Sequence, residues 1–397
     1  MDYKLKRILT DRDGRPFQQY FDEEQKEFKI QPMIATEKTL KRLVSAVSAA
    51  SEEPPHLKNV KVINDSPVTY VHWFHDGLFY GSYSRSIYTS PDGENWTELT
   101  NLEGAESPIA FVVVSDTNRI IAACQGGQVF VSDENGEFSS TPAFTSGSFD
   151  VRFGHFKYRN IIGLNTYESH GFDDGQKHEA FLSTDNGETF KKVFDISTLD
   201  TLPPLDDDRY HLHDMEYDPY NGRLYLWTGD FMNRTLNYSD DWGDTWHTAL
   251  PRGEAGNSTQ VIATKDGIAL GSDTNPGGIA FIELDRSKGT EEKPSIEKYD
   301  RAFWSFSDYQ DRYVALRRWV ERDKGIYLVP FAAEYDDNNS GIIAFSRDGY
   351  NWYEIYKSTS KGHWSGFYTV TYGNGLIVAT LRDPDEGFKI FIAEADL

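Results

Sequence analysis

Along this chain a short polar turn is followed, again and again, by an apolar strand. His75-Asp76-Gly77 precedes Leu78-Phe79-Tyr80, Asp116-Thr117-Asn118 precedes Arg119-Ile120-Ile121, and Tyr158-Arg159-Asn160 precedes Ile161-Ile162-Gly163. The pattern returns as Tyr220-Asn221-Gly222 before Arg223-Leu224-Tyr225 and Lys265-Asp266-Gly267 before Ile268-Ala269-Leu270. It ends with Asp323-Lys324-Gly325 before Ile326-Tyr327-Leu328 and Gly373-Asn374-Gly375 before Leu376-Ile377-Val378. The strands start at 78, 119, 161, 223, 268, 326 and 376, a period of roughly 40 to 60 residues. Short apolar runs bounded by Asp, Asn and Gly read as strands joined by tight turns.

Such a period is expected of four-stranded propeller blades, and seven turns argue for seven blades. After Leu376 only two strands remain, Leu376 to Thr380 and Phe388 to Ala393, so the last blade lacks its outer strand. Leu57-Lys58-Asn59-Val60-Lys61-Val62-Ile63 alternates as a strand and lies before the first blade, so the strand 57–63 is expected to complete the last blade and remove an open edge. The fold class expected is all-β: a seven-bladed β-propeller of four-stranded antiparallel blades over residues 58–397, preceded by a small strand/helix segment at 1–57.

Within that segment, Tyr3 to Leu9 predicts a strand, Asp11 to Pro16 a turn, and Phe17 to Phe28 short extended pieces. Thr36 then caps a helix over 36–52, carrying Leu40, Leu43, Val47 and Ala50 on one seam and stopped by Pro54-Pro55. Two heptads are too few for stability alone, so this helix either packs on the propeller or forms a small oligomerising stalk.

A second motif overlays the ruler. Ser90-Pro91-Asp92-Gly93-Glu94-Asn95-Trp96 returns as Ser132-Asp133-Glu134-Asn135-Gly136-Glu137-Phe138 and as Ser183-Thr184-Asp185-Asn186-Gly187-Glu188-Thr189-Phe190. Two further copies are Ser239-Asp240-Asp241-Trp242-Gly243-Asp244-Thr245-Trp246 and Ser346-Arg347-Asp348-Gly349-Tyr350-Asn351-Trp352. Asp side chains bond backbone N–H groups two residues on, Gly takes positive φ, and the aromatic plugs back onto the sheet. The fifth blade carries only the degenerate Leu284-Asp285-Arg286-Ser287-Lys288-Gly289 in this place, and the seventh has no room for a copy. The motif resembles the Asp-box, or bacterial neuraminidase repeat, of sialidase-like β-propellers. That resemblance implies the fold and is nearly silent about function.

Composition narrows the classes. Aromatics make up 14% of the 397 residues and Gly numbers 32, which suits short strands joined by Gly turns. The single Cys124 excludes an intramolecular disulfide framework. A net charge of −23 repels phosphate backbones, so nucleic acid is not an expected partner. No apolar run approaches 18 residues and Met1-Asp2-Tyr3-Lys4-Leu5-Lys6 lacks the apolar core of a signal peptide, so neither membrane insertion nor ordinary secretion is expected. Ile8-Leu9-Thr10-Asp11-Arg12-Asp13-Gly14-Arg15-Pro16-Phe17-Gln18-Gln19-Tyr20-Phe21-Asp22 resembles the N-terminal segment of tail and baseplate proteins of phages of Gram-positive bacteria. The resemblance implies a virion protein docked to a tail or baseplate partner through residues 1–57, present as a homo-oligomer with a trimer favoured.

In a four-stranded up-and-down blade, the turns between strands one and two and between strands three and four share a face. Ligands of propellers usually open on the other, where links between strands two and three and between blades lie. Those links supply Tyr167, His170, Asp173 and Asp174 in the third blade, Tyr210 and His211 leading into the fourth, and Asp230 and Arg234 within it. The sixth adds Tyr335 and the seventh Arg382. Aromatic faces and paired acceptors suit a sugar, so a cell-surface polysaccharide or teichoic acid is the expected ligand. A glycoside hydrolase on the same face, or a purely structural tail protein, are the alternatives. Sialidase activity is not expected: the family's Arg-Ile-Pro stretch is absent, Arg119-Ile120-Ile121 lies in the wrong blade, and nothing fixes Arg152, Arg234, Arg317 and Arg382 as a triad. His211-Leu212-His213-Asp214 lacks a third metal ligand, and Asp206-Asp207-Asp208 would admit calcium but lacks the spaced loop with its closing Glu. No metal or cofactor is therefore assigned.

Overall fold

A computed structural model describes residues 4–10, 16–22, 27–32, 55–141, 147–167, 178–195, 211–229, 234–250, 258–274, 277–284, 302–305, 313–334 and 339–397. The chain divides into two compact units, 1–53 and 54–397. In the first, Lys4–Thr10, Pro16–Asp22 and Glu27–Pro32 form a three-stranded antiparallel sheet in sequence order. The helix expected at 36–52 lies outside the described residues.

In the second unit the strands run as antiparallel ladders of four. The first blade is Tyr70–His75, Leu78–Tyr83, Ser86–Ser90 and Thr97–Asn101; the second is Ile109–Val114, Ile120–Cys124, Val129–Ser132 and Phe138–Ser140. The third is His155–Tyr158, Ile161–Asn165, Glu179–Ser183 and Lys191–Asp195; the fourth is His211–Asp218, Arg223–Gly229, Thr235–Ser239 and His247–Leu250. The fifth comprises Ser258–Ala263, Gly267–Thr274, Gly278–Glu283 and Ala302–Ser305. The sixth comprises a split inner strand, Tyr313–Ala315 and Trp319–Glu321, then Ile326–Ala333, Ser340–Ser346 and Trp352–Lys361. The seventh comprises Ser365–Gly373, Leu376–Asp383 and Gly387–Glu394 with Lys58–Ile63 on its outer edge, where Ile390 faces Ile63 and Phe391 faces Val62. Short pairings of Asp273 with Val314 and of Ala332 with Gly366 join the fifth, sixth and seventh blades. Among the described residues no helix is long and apolar enough to cross a membrane.

Burial explains the apolar runs. Ile109–Val114 and Ile120–Cys124 are buried at every position because each blade is covered on both faces by its neighbours. The outer strand Thr97–Asn101, at a blade's rim, is mostly exposed and reads as polar. Each fully buried Val, Ile or Phe contributes about 1.5–3 kcal/mol.

The repeated turn is built from its own side chains. Ser90 Oγ donates to Asp92 Oδ1 at 2.9 Å and accepts the Gly93 N–H at 2.8 Å, while Asp92 Oδ1 accepts the N–H groups of Glu94 at 2.9 Å and Asn95 at 2.8 Å. Trp96 Nε1 donates to the Gly93 carbonyl at 2.8 Å. Ser346, Asp348, Gly349 and Trp352 repeat this set. In the copies with one extra residue, Ser183 and Ser239 accept from Gly187 and Gly243, and Asp185 and Asp241 accept from Thr189 and Thr245. The extra residue takes positive φ, 63° at Asn186 and 60° at Trp242. Phe190 and Trp246 close these turns onto the sheet, Trp246 Nε1 donating to Val193 O in the third blade at 2.7 Å.

The glycine of each of these four turns seats on the preceding blade. A Cβ there would lie 2.8 Å from Val378 at Gly93, 2.8 Å from Ile121 at Gly187, 2.4 Å from Val193 at Gly243 and 2.3 Å from Thr264 at Gly349. The copy at 132–138 differs: Ser132 Oγ accepts from Ile120 N–H instead, and Gly136 meets nothing within 4 Å. Gly243→Ala should therefore lose roughly 2–4 kcal/mol, the positive-φ penalty plus overpacking, and Gly136→Ala only about 1–2 kcal/mol from the backbone alone. Urea midpoints measure the difference, and equal losses would show that seating on the neighbour matters little.

Acid should loosen the turns. Partial burial opposes ionisation of Asp92, yet the hydrogen bonds from Asn95 and Glu94 outweigh it and hold the carboxyl at about 2. The Thr245 hydroxyl and N–H hold Asp241 at about 2 as well. Because both lie below an unfolded value of about 3.9, their contribution is complete above pH 4 and is lost as pH falls toward 2. Asp92→Asn and Asp241→Asn should each flatten the stability slope in that window.

Candidate functional site

The two families of turns share a face. The Asn374 side-chain amide donates to Gly77 O at 2.9 Å and to Pro91 O at 3.1 Å, joining the last blade's turn to both turns of the first. The Asn186 N–H donates to Asn160 O at 3.0 Å within the third blade. The opposite, link face therefore carries the connections between strands two and three and between blades.

Between the faces the channel is filled by polar side chains from the inner strands. The ladder of the sixth blade breaks at Leu316–Arg318 and sends two arginines inward. Arg318 binds Asp214, Glu216 at 2.5 Å and Gln260 Oε1 at 2.8 Å, and Arg322 binds Glu216 and the Ala263 carbonyl. Arg317 crosses to the first two blades, with Nη1 2.7 Å from His72 Nδ1 and Nη2 donating to Ala110 O at 3.1 Å. Burial lowers its guanidinium to about 9, the Asp150 charge pulling the other way. His72, whose Nδ1 faces that guanidinium, is held neutral well below the usual imidazole range by burial. The contacts of Arg317 and Arg318 tie inner strands of several blades together and form a floor beneath the link face, while Arg322 reaches Glu216 from the turn side.

Above that floor lies an aromatic cluster around one ion pair. Asp150 and Arg152 sit on the connection from the second blade to the third. Arg152 Nε and Nη2 donate to the two Asp150 oxygens at 2.9 and 2.7 Å, and its own N–H donates at 2.7 Å. The connection packs Val151 and Phe153 against Val314, Leu316, Ala332 and Tyr368 of the sixth and seventh blades, so it lies over the link end of the channel. The Arg152 guanidinium lies 5.2 Å from the Phe153 ring, 5.7 Å from Tyr167 and 5.1 Å from Trp364. Trp364 is half-buried and has φ 57°, a conformation that a bulky side chain adopts only under constraint. Arg382 Nη1 donates to the Trp364 carbonyl at 3.3 Å and reaches Tyr368 OH at 3.4 Å. Phe388 makes edge contacts with Tyr70 and Tyr368 at 5.0 and 5.4 Å. Burial opposes the Asp150 charge, but Arg152 outweighs it and keeps the carboxyl below its ordinary range. Burial pushes the Tyr70 phenol up to about 12, so it stays a neutral donor.

Of the residues expected from the sequence, Tyr167 and Arg382 belong to this cluster. His211 stands beside it, its ring 4.8 Å from Tyr167. Arg234 is half-buried just before the strand Thr235–Ser239. His170, Asp173, Asp174, Tyr210, Asp230 and Tyr335 lie outside the described residues, as does Asp206-Asp207-Asp208. Sequence reading passed over Asp150, Trp364, Tyr70, Tyr368 and Phe388, which form no local motif. The one signal was Asp150-Val151-Arg152, opposite charges one residue apart in an otherwise uncharged connection.

The histidines of the fourth blade pair with each other. His211 Nε2 lies 2.7 Å from His213 Nε2, and His213 Nδ1 lies 2.7 Å from the Ser258 carbonyl. That carbonyl requires a proton on His213 Nδ1, which leaves Nε2 to accept from His211 Nε2–H. Burial, with His213 adding to it, holds His211 neutral well below its ordinary range. Among the described residues no group of three or more His, Cys, Asp or Glu is arranged to hold a metal. Long-range ¹H–¹⁵N spectra at pH 6 should show a neutral His211 protonated on Nε2 and a His213 proton on Nδ1. An imidazolium at His211 would contradict this arrangement.

No protein-family model matches the chain, and no curated protein matches it. Among solved structures it is similar to the β-propeller domain of Cps50 (Swd1) from Myceliophteria thermophila, with a TM-score of 0.55 and 13% identity over 86% of this chain and 100% of that one. It is also similar to YCF48 from Cyanidioschyzon merolae, with a TM-score of 0.51 and 15% identity over 84% and 98% of the two chains. The WD40 β-propeller domain of Doa1 gives a TM-score of 0.52 and 10% identity over 86% and 97%. At these identities the likeness speaks for the fold alone, and the fold is a β-propeller.

Proposed function

We propose that this protein is a receptor-binding protein of a phage tail or baseplate, and that its Asp-box propeller holds a host cell-surface carbohydrate at the link-face cluster. In this reading residues 1–57 dock to a tail or baseplate protein in the virion, and the chain works as a homo-oligomer, a trimer being favoured, so that weak sites add up. The observation that carries the carbohydrate half is Trp364, held at φ 57° and half-buried over an arginine that is itself locked to Asp150. A strained aromatic on a rigid ion pair is a prepared surface: it offers a flat face for C–H stacking beside fixed donors and acceptors. The polar members, Arg152, Arg382 and the neutral Tyr70 and Tyr368 phenols, suit the hydroxyl groups of wall polymers, whether polysaccharide or teichoic acid.

Binding fits this cluster better than glycoside cleavage. A general acid for glycosidic oxygen needs a raised carboxyl, whereas Arg152 holds Asp150 below its ordinary range. Trp364→Ala should weaken binding of purified host wall polymer by roughly 10- to 100-fold, about 1.4–2.8 kcal/mol, with the polymer migrating at unchanged length on size-exclusion. Unaltered affinity in that variant would remove the cluster from the reading, and shortened polymer would make the protein a hydrolase.

A further inference from the structure

The opposite face carries a second group of aromatics that the reading above leaves unused. Trp242 occupies the extra position of the fourth blade's turn at φ 60° and remains 43% exposed. The corresponding position in the third blade's turn is Asn186 at φ 63°, a residue whose short side chain tolerates the left-handed region. A tryptophan there is both strained and wet, so it contributes little to stability that Asn would not.

What Trp242 does have is company. Its ring stacks on Tyr217 at 5.3 Å and 16°, and Tyr217 meets Tyr158 of the third blade at 5.9 Å. Tyr158 is flanked in turn by the guanidiniums of Arg159 at 5.2 Å and Arg322 at 5.8 Å. Arg159 is also at positive φ, 53°. Strained positions that are neither Asx nor Gly are few among the described residues: Ser84, Arg159, Trp242 and Trp364. Two of these four belong to this stripe.

We propose that Trp242 is a second ligand site, on the turn face, that takes a neutral sugar ring on the side of the indole not covered by Tyr217. The geometry suits a sugar better than a protein partner. Trp242 is 43% exposed and stacking on Tyr217 orients its ring. The rim is charged rather than apolar: Asp244, two residues on, pairs with Lys191, and Asp240 pairs with Arg223. A stable protein interface needs roughly 800 Å² per partner with an apolar centre, whereas the large exposed hydrophobics on this face among the described residues are Trp242 and Tyr220. The site stands whether or not the link-face reading holds.

The test uses the full chain labelled with 5-fluorotryptophan, whose nine tryptophans report separately in ¹⁹F spectra. The Trp242 signal is the one missing from Trp242→Asn. That variant copies the third-blade turn and should melt at or above the parent temperature, so it separates binding from folding. The probes are maltohexaose, cellohexaose, chitohexaose and mannohexaose. The expected result is a saturable shift of the Trp242 signal with at least one of them, retained in Trp364→Ala, and binding to that sugar weakened at least tenfold by Trp242→Asn. No Trp242 shift with any of the four, or shifts confined to other tryptophans, overturns the proposal. A Trp242 signal that moves with protein concentration, together with a lower association state of Trp242→Asn by sedimentation, overturns it in favour of contact between copies.

Discussion

The structure depends on how closely one blade can approach the next at the repeated turn. At Gly93, Gly187, Gly243 and Gly349 the backbone itself rests on a side chain of the preceding blade, at a distance no Cβ could share. Glycine serves twice there, allowing positive φ and leaving out the atom that would push the blades apart. The Ser–Asp pair then holds the glycine in place with hydrogen bonds confined to one turn. Gly93 is the copy that closes the ring, because its neighbour is Val378 of the seventh blade. That junction is reinforced where Val71 N–H donates to Thr380 Oγ1 and where Lys61 pairs with Glu94.

Pairing of Lys58–Ile63 with the seventh blade follows from the same need. A last blade of three strands would leave an open row of N–H and C=O groups, and Lys58–Ile63 covers it. Between the seated blades, polar and charged side chains meet from several inner strands. Arg317 and Arg318 from the split inner strand of the sixth blade, with Arg322 from the turn that follows it, are set against Asp214, Glu216, His72 and backbone carbonyls. Buried charges of this kind are tolerated only when partnered, so each contact also fixes the relative placement of the blades that make it.

The link-face cluster inherits its rigidity from that floor. The connection bearing Asp150 and Arg152 is pinned by Val151 and Phe153 against residues of the sixth and seventh blades, and Trp364 can be held at positive φ because its carbonyl is bound by Arg382. Strain at a surface tryptophan persists only where surrounding contacts overdetermine it. The same reasoning applies at Trp242, where the turn's own hydrogen bonds and Tyr217 supply the constraint.

What the sequence determined by itself is the local chemistry and its repetition. A Ser, Asp and Gly within five residues, followed by an aromatic, make one hairpin turn, since the bonds that the Asp carboxylate accepts from backbone N–H groups close within it. The apolar runs between turns show a ladder's period for the same local reason, and Lys58–Ile63 was legible as a strand from its alternation. The tertiary structure alone decided which turns seat on a neighbour: Gly136 has the residues and lacks the contact. It also decided the site. Tyr70, Asp150, Arg152, Tyr167, Trp364 and Arg382 come from distant parts of the chain, and each alone reads as an ordinary loop or strand residue. Ring closure brings them together, and packing between blades has no signature in the spacing of residues along one of them.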